Sequence, residues 1–171
     1  MTPVLRFKHC PACGEPRTGE PVIPFTCGGC GFVFYFNPTA AAAAIISRSD
    51  GRVLFITRAK EPARGKLAFP GGFIDIGETV EKALRRETLE EVGLEIRDIR
   101  LLGSHPNEYS YKGVNYPVLD FLFSARTDDA DDTRALDGVA EFLWRDPHEV
   151  ELDDLAFPSL REGLRIYRER T

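Results

Sequence analysis

No cysteine follows Cys30 in this chain of 171 residues, so no disulfide framework holds the bulk of it together. No apolar run spans a bilayer: the longest, AAAAAII from Ala40 to Ile46, stops well short. The N-terminus lacks the charged and apolar regions of a secretory leader. Internal repeats are absent, and so is any basic stretch. The formal charge is −5 with the acids spread along the chain, which argues against duplex nucleic acid and against an anionic membrane as partners. What is there is 43% hydrophobic residues, enough for one core, and a length that suits one domain of ordinary size with a small appendage. A cytoplasmic enzyme or binding protein acting on a small molecule is the expectation, with a homodimer allowed.

The cysteines form two pairs, CPAC (Cys10, Cys13) and CGGC (Cys27, Cys30), in the pattern C-x2-C-x13-C-x2-C. Gly14, Gly28, Gly29 and Gly31, in or just after the pairs, let backbone amides approach thiolate sulfur. This spacing predicts a tetrahedral zinc site with four cysteine ligands. Two disulfides of a secreted mini-domain would use the same residues, but that reading needs a leader the chain does not display. A closed four-thiolate site leaves no coordination position for a substrate, so the zinc is expected to be structural and His9 an exposed neighbour. Residues 1–36 therefore read as a zinc ribbon, too short to bury a core without its metal, and residues 37–171 as the main domain.

In the main domain, Ala40–Ser47 and Val53–Arg58 read as strands joined at an Asp50-Gly51 turn. Gly71-Gly72 reads as a turn, and residues 79–92 as a helix with Thr79 as N-cap and Gly93 as its stop. Glu95–Leu102, Val114–Ala125 and Glu141–Arg145 read as further strands, and Pro158–Arg170 as a closing amphipathic helix. The order is mixed, an α/β class. The DDADD run, Asp128 to Asp132, reads as a solvated loop. Within the first helix, Glu87, Glu90 and Glu91 stand at i, i+3 and i+4, on a face that begins with Val80, Ala83 and Leu84. Half-buried like charges repel and lose hydration. They persist when a cation holds them together or when their pKa values rise.

From Gly72 the chain reads G-x5-E-x7-R-E-U-x-E-E-x-G-U, with Gly72, Glu78, Arg86, Glu87, Glu90, Glu91, Gly93 and Leu94 in place. This resembles the box of the Nudix hydrolases. Only Thr88, at a slot usually aliphatic, departs from it. The preceding AFPGGF also resembles the family, and a ribbon followed by FYFNP is similar to the arrangement in NADH pyrophosphatases and related zinc-ribbon members. The SQPWPFPxS run of NADH pyrophosphatases is absent; SHPNEYSYKG, Ser104 to Gly113, stands at a similar distance, so a preference for NADH does not follow. The resemblance implies a Nudix α/β/α sandwich that hydrolyses a nucleoside diphosphate linked to another moiety, using Mg²⁺ or Mn²⁺. Carboxylates are hard oxygen ligands suited to such ions. By resemblance, Glu87 and Glu91 are metal ligands, Glu90 is a ligand or the general base, Arg86 orients the box through Glu78, and Glu141 adds a further acid.

Arg58 and Lys66, with Gly71 and Gly72, are the candidates for binding the diphosphate. Asn107, Tyr109 and Tyr111 are candidates for contacting the nucleotide, or else belong to a polar hairpin loop whose tyrosines pack on the fold. Glu141 faces away from Trp144 on an alternating strand, toward the box or simply toward solvent. His105 has no placed partner and receives no role. The leading function is metal-dependent hydrolysis of a dinucleotide or nucleotide sugar such as NADH, ADP-ribose or FAD, releasing a nucleoside monophosphate. A nucleotide-sensing module without hydrolysis would be favoured by a broken box, and here every acid is present. Hydrolysis of oxidised nucleoside triphosphates stays open because the box does not encode the base. A prenyl diphosphate isomerase needs a catalytic cysteine, and all the cysteines belong to the ribbon.

Overall fold

The small apolar run after Thr39 is buried almost throughout from Ala42 to Ile46, as a strand covered on both faces must be. In the computed structural model, which describes all 171 residues, it lies in the middle of the main sheet. A short hairpin of β1 (Phe25–Thr26) and β2 (Val33–Phe34) precedes it. Then come β3 (Thr39–Ser47), β4 (Val53–Arg58), β5 (Leu67–Ala68), β6 (Gly71–Phe73), α1 (Val80–Val92), β7 (Arg97–Tyr111), β8 (Val114–Arg126), β9 (Val139–Arg145) and α2 (Pro158–Arg170). β3 runs parallel to β8 in unbroken register from Thr39↔Val118 to Ser47↔Arg126, and antiparallel to β6 along its other edge. β4 lies antiparallel between β5 and β9. β3 and β4 pair only at Ser47↔Val53, beside the Asp50-Gly51 turn, so the sheet splays from that point. Helix α1 packs on β3 and β6, and α2 packs on β7 and β8, which makes the expected α/β/α sandwich. Its core is built on Ile45, Ile46, Phe55, Leu84, Leu122 and Leu164. No helix is long and apolar enough to cross a membrane.

Three elements differ from the sequence reading. The strand expected to end at Leu102 continues to Tyr111, and the polar stretch taken for a loop pairs residue by residue with β8, from Ser104↔Phe121 to Tyr111↔Val114. β7 is an edge strand, where Pro106 and a run of polar side chains are tolerated because one edge carries no ladder. The turn is confined to Lys112 and Gly113, with φ of 47° and 76°. Gly71-Gly72 is not a turn but part of β6, pressed against β3. A Cβ on Gly71 would sit 2.1 Å from the Ala42 carbonyl oxygen, so only glycine lets the two backbones approach this way. β9 starts at Val139, which is buried, rather than at Glu141.

The N-terminal segment has a small core of its own, made of Cys10, Phe25 and Cys27 with Phe7, Phe32 and Phe36 packed around them. It touches the main sheet at the tip of the long hairpin, where the Asn115 N–H donates to the Met1 carbonyl at 2.8 Å.

Candidate active site

Helix α1 is set by its ends. Thr79 Oγ1 accepts from the Lys82 N–H at 3.3 Å, and Gly93, left-handed at φ 71°, returns its N–H to the Leu89 carbonyl. Ala83, Leu84, Thr88 and Val92 form the buried line. Thr88, the one departure from the box, is wholly buried, and its hydroxyl is satisfied by donating to the Leu84 carbonyl at 2.7 Å. Glu87 and Glu91 stand beside that line, under β6, while Glu90 points outward and stays 54% exposed.

Arg86 ties these acids together. Its guanidinium donates to Glu78 at 3.0 and 2.9 Å, to Glu87 at 2.7 Å, to Glu90 at 3.3 Å and to the Phe73 carbonyl at 3.1 Å. The hydrogen bond from Arg86 holds the Glu78 carboxyl below the usual range. Glu91 turns instead to the Gly71 N–H, 2.9 Å away. Burial pushes its pKa up to about 8; the Gly71 N–H opposes the shift and the charge of Glu87 adds to it. Burial also raises Glu87, against the pull of Arg86. Gly72 leaves the space this needs, since a Cβ there would lie 2.5 Å from the Glu87 carboxylate. These are hard oxygen donors, half-withdrawn from water and short of compensating charge, and they fit a divalent cation of the Mg²⁺ type.

Across β6 from the acids lies a pocket walled by Phe73, Tyr109 and Phe157, with Arg58, Asn107 and Asp120 around it. Phe73 and Tyr109 meet edge to face at 5.3 Å between centroids, and Tyr109 and Phe157 at 6.2 Å. Arg58 lies 5.1 Å over the Phe157 ring, donates to the Pro62 carbonyl at 2.9 Å, and its charge favours ionised Glu91. Thus Arg58, Gly71, Gly72, Asn107 and Tyr109 come together, while three other candidates lie elsewhere. The Lys66 ammonium donates to the Asp153 carbonyl at 3.1 Å, outside this pocket. Tyr111 is exposed at the hairpin tip under Lys112. Glu141 is exposed on β9 opposite Thr57. Asp120 and Phe157 escaped the sequence reading because they come from distant segments that no motif marks; Phe73 ends the AFPGGF run but received no role there. A larger open cleft of about 730 Å³ near the β3–β4 turn includes four arginines and three acids in its lining, with no residue of α1.

The Sγ atoms of Cys10, Cys13, Cys27 and Cys30 all lie within 4.8 Å of one another, the one group of three or more Cys, His, Asp or Glu side chains to converge so closely. Cys10–Cys30 and Cys13–Cys27 are each 3.7 Å apart. That is near the edge of a tetrahedron with Zn–S bonds of about 2.3 Å, and far from a disulfide at about 2.05 Å. Backbone N–H groups of Cys30 and Gly29 lower the Cys27 thiol to about 7, the effect expected of amides aimed at a thiolate. The four cysteines can hold zinc.

A family model described as the NUDIX domain matches residues 37–165. An ADP-ribose pyrophosphatase of Methanocaldococcus jannaschii is 45% identical over 69 residues, covering 40% of this chain and 40% of that protein. The NAD-capped RNA hydrolase NudC of Vibrio atlanticus is 32% identical over 108 residues, covering 62% of this chain and 38% of the relative. The chain thus spans about two-fifths of the length of these relatives. A crystal structure of a NUDIX hydrolase from Nitrosomonas europaea superimposes with a TM-score of 0.70 at 27% identity, covering 95% of this chain and 91% of that one.

Proposed function

Because the chain belongs to the Nudix family, we propose that it is a pyrophosphohydrolase that cleaves the diphosphate linkage of a nucleotide derivative such as ADP-ribose, NADH or FAD, releasing a nucleoside monophosphate. One observation carries this reading. In the three residues of β6, the Gly71 N–H binds Glu91, Gly72 covers Glu87 and Phe73 walls the aromatic pocket, so a place for a ring adjoins a face of acids. Glu87, Glu90 and Glu91 are the residues to hold Mg²⁺ or Mn²⁺; Glu141, exposed on β9 opposite Thr57, is not counted with them. Such an ion neutralises diphosphate charge and lowers the pKa of an attacking water. Arg86 fixes the carboxylates by anchoring on Glu78. Glu90, the most accessible of the three, is a ligand or the base that accepts the water proton. Arg58 meets the diphosphate; Lys66 does so only by leaving Asp153. Zinc on the four cysteines stabilises a ribbon of residues 1–36 beside a hydrolase unit of residues 37–171. The names of the relatives support the substrate class, since ADP-ribose and an NAD cap are both nucleoside diphosphate derivatives.

The test is incubation with ADP-ribose, NADH, FAD and an oxidised nucleoside triphosphate, each with Mg²⁺ and with Mn²⁺, followed by chromatography of the products. Release of nucleoside monophosphate from at least one of the first three is expected. Turnover of the triphosphate alone, or of none, overturns the proposal.

A further inference from the structure

A carboxylate buried in the wall of a pocket is costly unless something compensates it. Asp120, on β8, is 8% exposed and lines the aromatic pocket. Two protein donors reach it, Asn107 Nδ2 at 2.8 Å and the Ser159 hydroxyl, and both bind the same oxygen, Oδ2. Oδ1 receives no protein donor. It is not sealed away either, because the one buried side-chain polar atom left without a partner is His105 Nε2. The pocket that Asp120 lines measures about 90 Å³, small beside the roughly 300–1,000 Å³ of whole-ligand sites. It therefore takes one ring rather than a dinucleotide. Phe73, Tyr109 and Phe157 offer that ring aromatic faces and edges.

We propose that Asp120 is a specificity-determining residue whose Oδ1 accepts a hydrogen bond from the exocyclic –NH2 of an aromatic heterocycle held in this pocket. The ligand class is a nucleotide whose ring carries an amino or carboxamide N–H donor, as adenine and nicotinamide do. Asn107 and Ser159 are positioning residues that fix the carboxylate by occupying Oδ2. Burial raises the Asp120 pKa, against the pull of the Ser159 and Asn107 donors and of His105, its cross-strand neighbour on β7. A site built to receive a hydrogen bond rejects a ligand that cannot supply it, because a buried polar group is then left unpaired. The inference rests on the proposed function only for the expectation that the ligand is a nucleotide.

Asp120→Asn gives the sharpest test. The Asn107 and Ser159 donors hold the amide oxygen at the Oδ2 position, so the amide nitrogen faces the pocket and an acceptor becomes a donor. Calorimetry compares AMP with purine riboside monophosphate, and nicotinamide mononucleotide with 3-acetylpyridine mononucleotide, in which a methyl replaces the amide nitrogen; each pair differs in the –NH2 group and not in charge. The wild type is expected to bind the amino member of at least one pair roughly ten-fold or more tightly; which pair responds identifies the ring. In Asp120→Asn that preference is expected to fall to within about two-fold, on the same hydrogen-bond scale. Equal binding within both pairs, no binding of any, or a preference that survives in Asp120→Asn overturns the assignment. None of these ligands has a diphosphate to hydrolyse, so the result stands apart from the turnover screen.

Discussion

Gly72 and the Glu87 carboxylate compete for one volume, which makes the glycine a test of how tightly the acid must be placed. In Gly72→Ala the new Cβ meets the flexible end of a side chain, so the fold is expected to survive while the carboxylate moves. Turnover should fall by about two orders of magnitude, the penalty for displacing a catalytic group by about an ångström, with Tm nearly unchanged in a thermal melt. Gly71→Ala meets backbone instead, the Ala42 carbonyl, and should lower Tm clearly. Glu87→Gln and Glu90→Gln keep shape but remove a charge from the face proposed to hold the metal; each should cost about two to four orders of magnitude in kcat without loss of Tm. Wild-type rates in both glutamine variants would remove this helix face from the chemistry. At this scale the box was legible because its residues lie within a few helical turns, where spacing alone fixes who stands beside whom. Asp120 and Phe157 were illegible because they reach the site only through the β3–β8 and β7–β8 pairings and the docking of α2.

Among the elements, α1 was plain from its caps, Thr79 and Gly93, and from the break in its apolar stripe. β7 was not: Ser104 to Tyr111 is polar and interrupted by Pro106, and only the neighbouring strand β8 makes it extended. The acid face of α1 also sets a pH response. Glu91 has a folded pKa of about 8 against an ordinary 4.5, so between those values the folded state holds a proton that the unfolded chain has released. Its contribution to stability is therefore full below about pH 4.5 and is lost as pH rises to about 8. Metal-free protein should melt at progressively lower temperature from about pH 5 to pH 8, and Glu91→Gln should flatten the trend. Because a cation binds the ionised form, Mg²⁺ should raise Tm more at the alkaline end. Parallel melting curves for wild type and Glu91→Gln across this range would contradict the account.

Over the whole molecule, two separate cores share one chain: a cysteine-and-phenylalanine cluster near the N-terminus and the large core of the sandwich. Cys27→Ser, or removal of zinc by a chelator, should unfold the first while the second keeps its cooperative transition. Tryptophan fluorescence reports the second alone, since the one tryptophan, Trp144, packs against the sandwich core. Amide exchange at the hairpin tip near Asn115, which donates to Met1, should quicken as the segment is released. A single transition that disappears with the zinc would mean the two cores are one unit. The parallel pairing of β3 with β8 bears also on how the chain is made. At about 5–20 residues per second, β3 leaves the ribosome several seconds ahead of a partner about eighty residues downstream. The ribbon can close meanwhile on cysteines that have already emerged, and β6 can take one edge of AAAAAII, whereas the edge that belongs to β8 stays open. A nascent chain stalled before Val118 presents that one edge unpaired to chaperones and to its neighbours on the polysome.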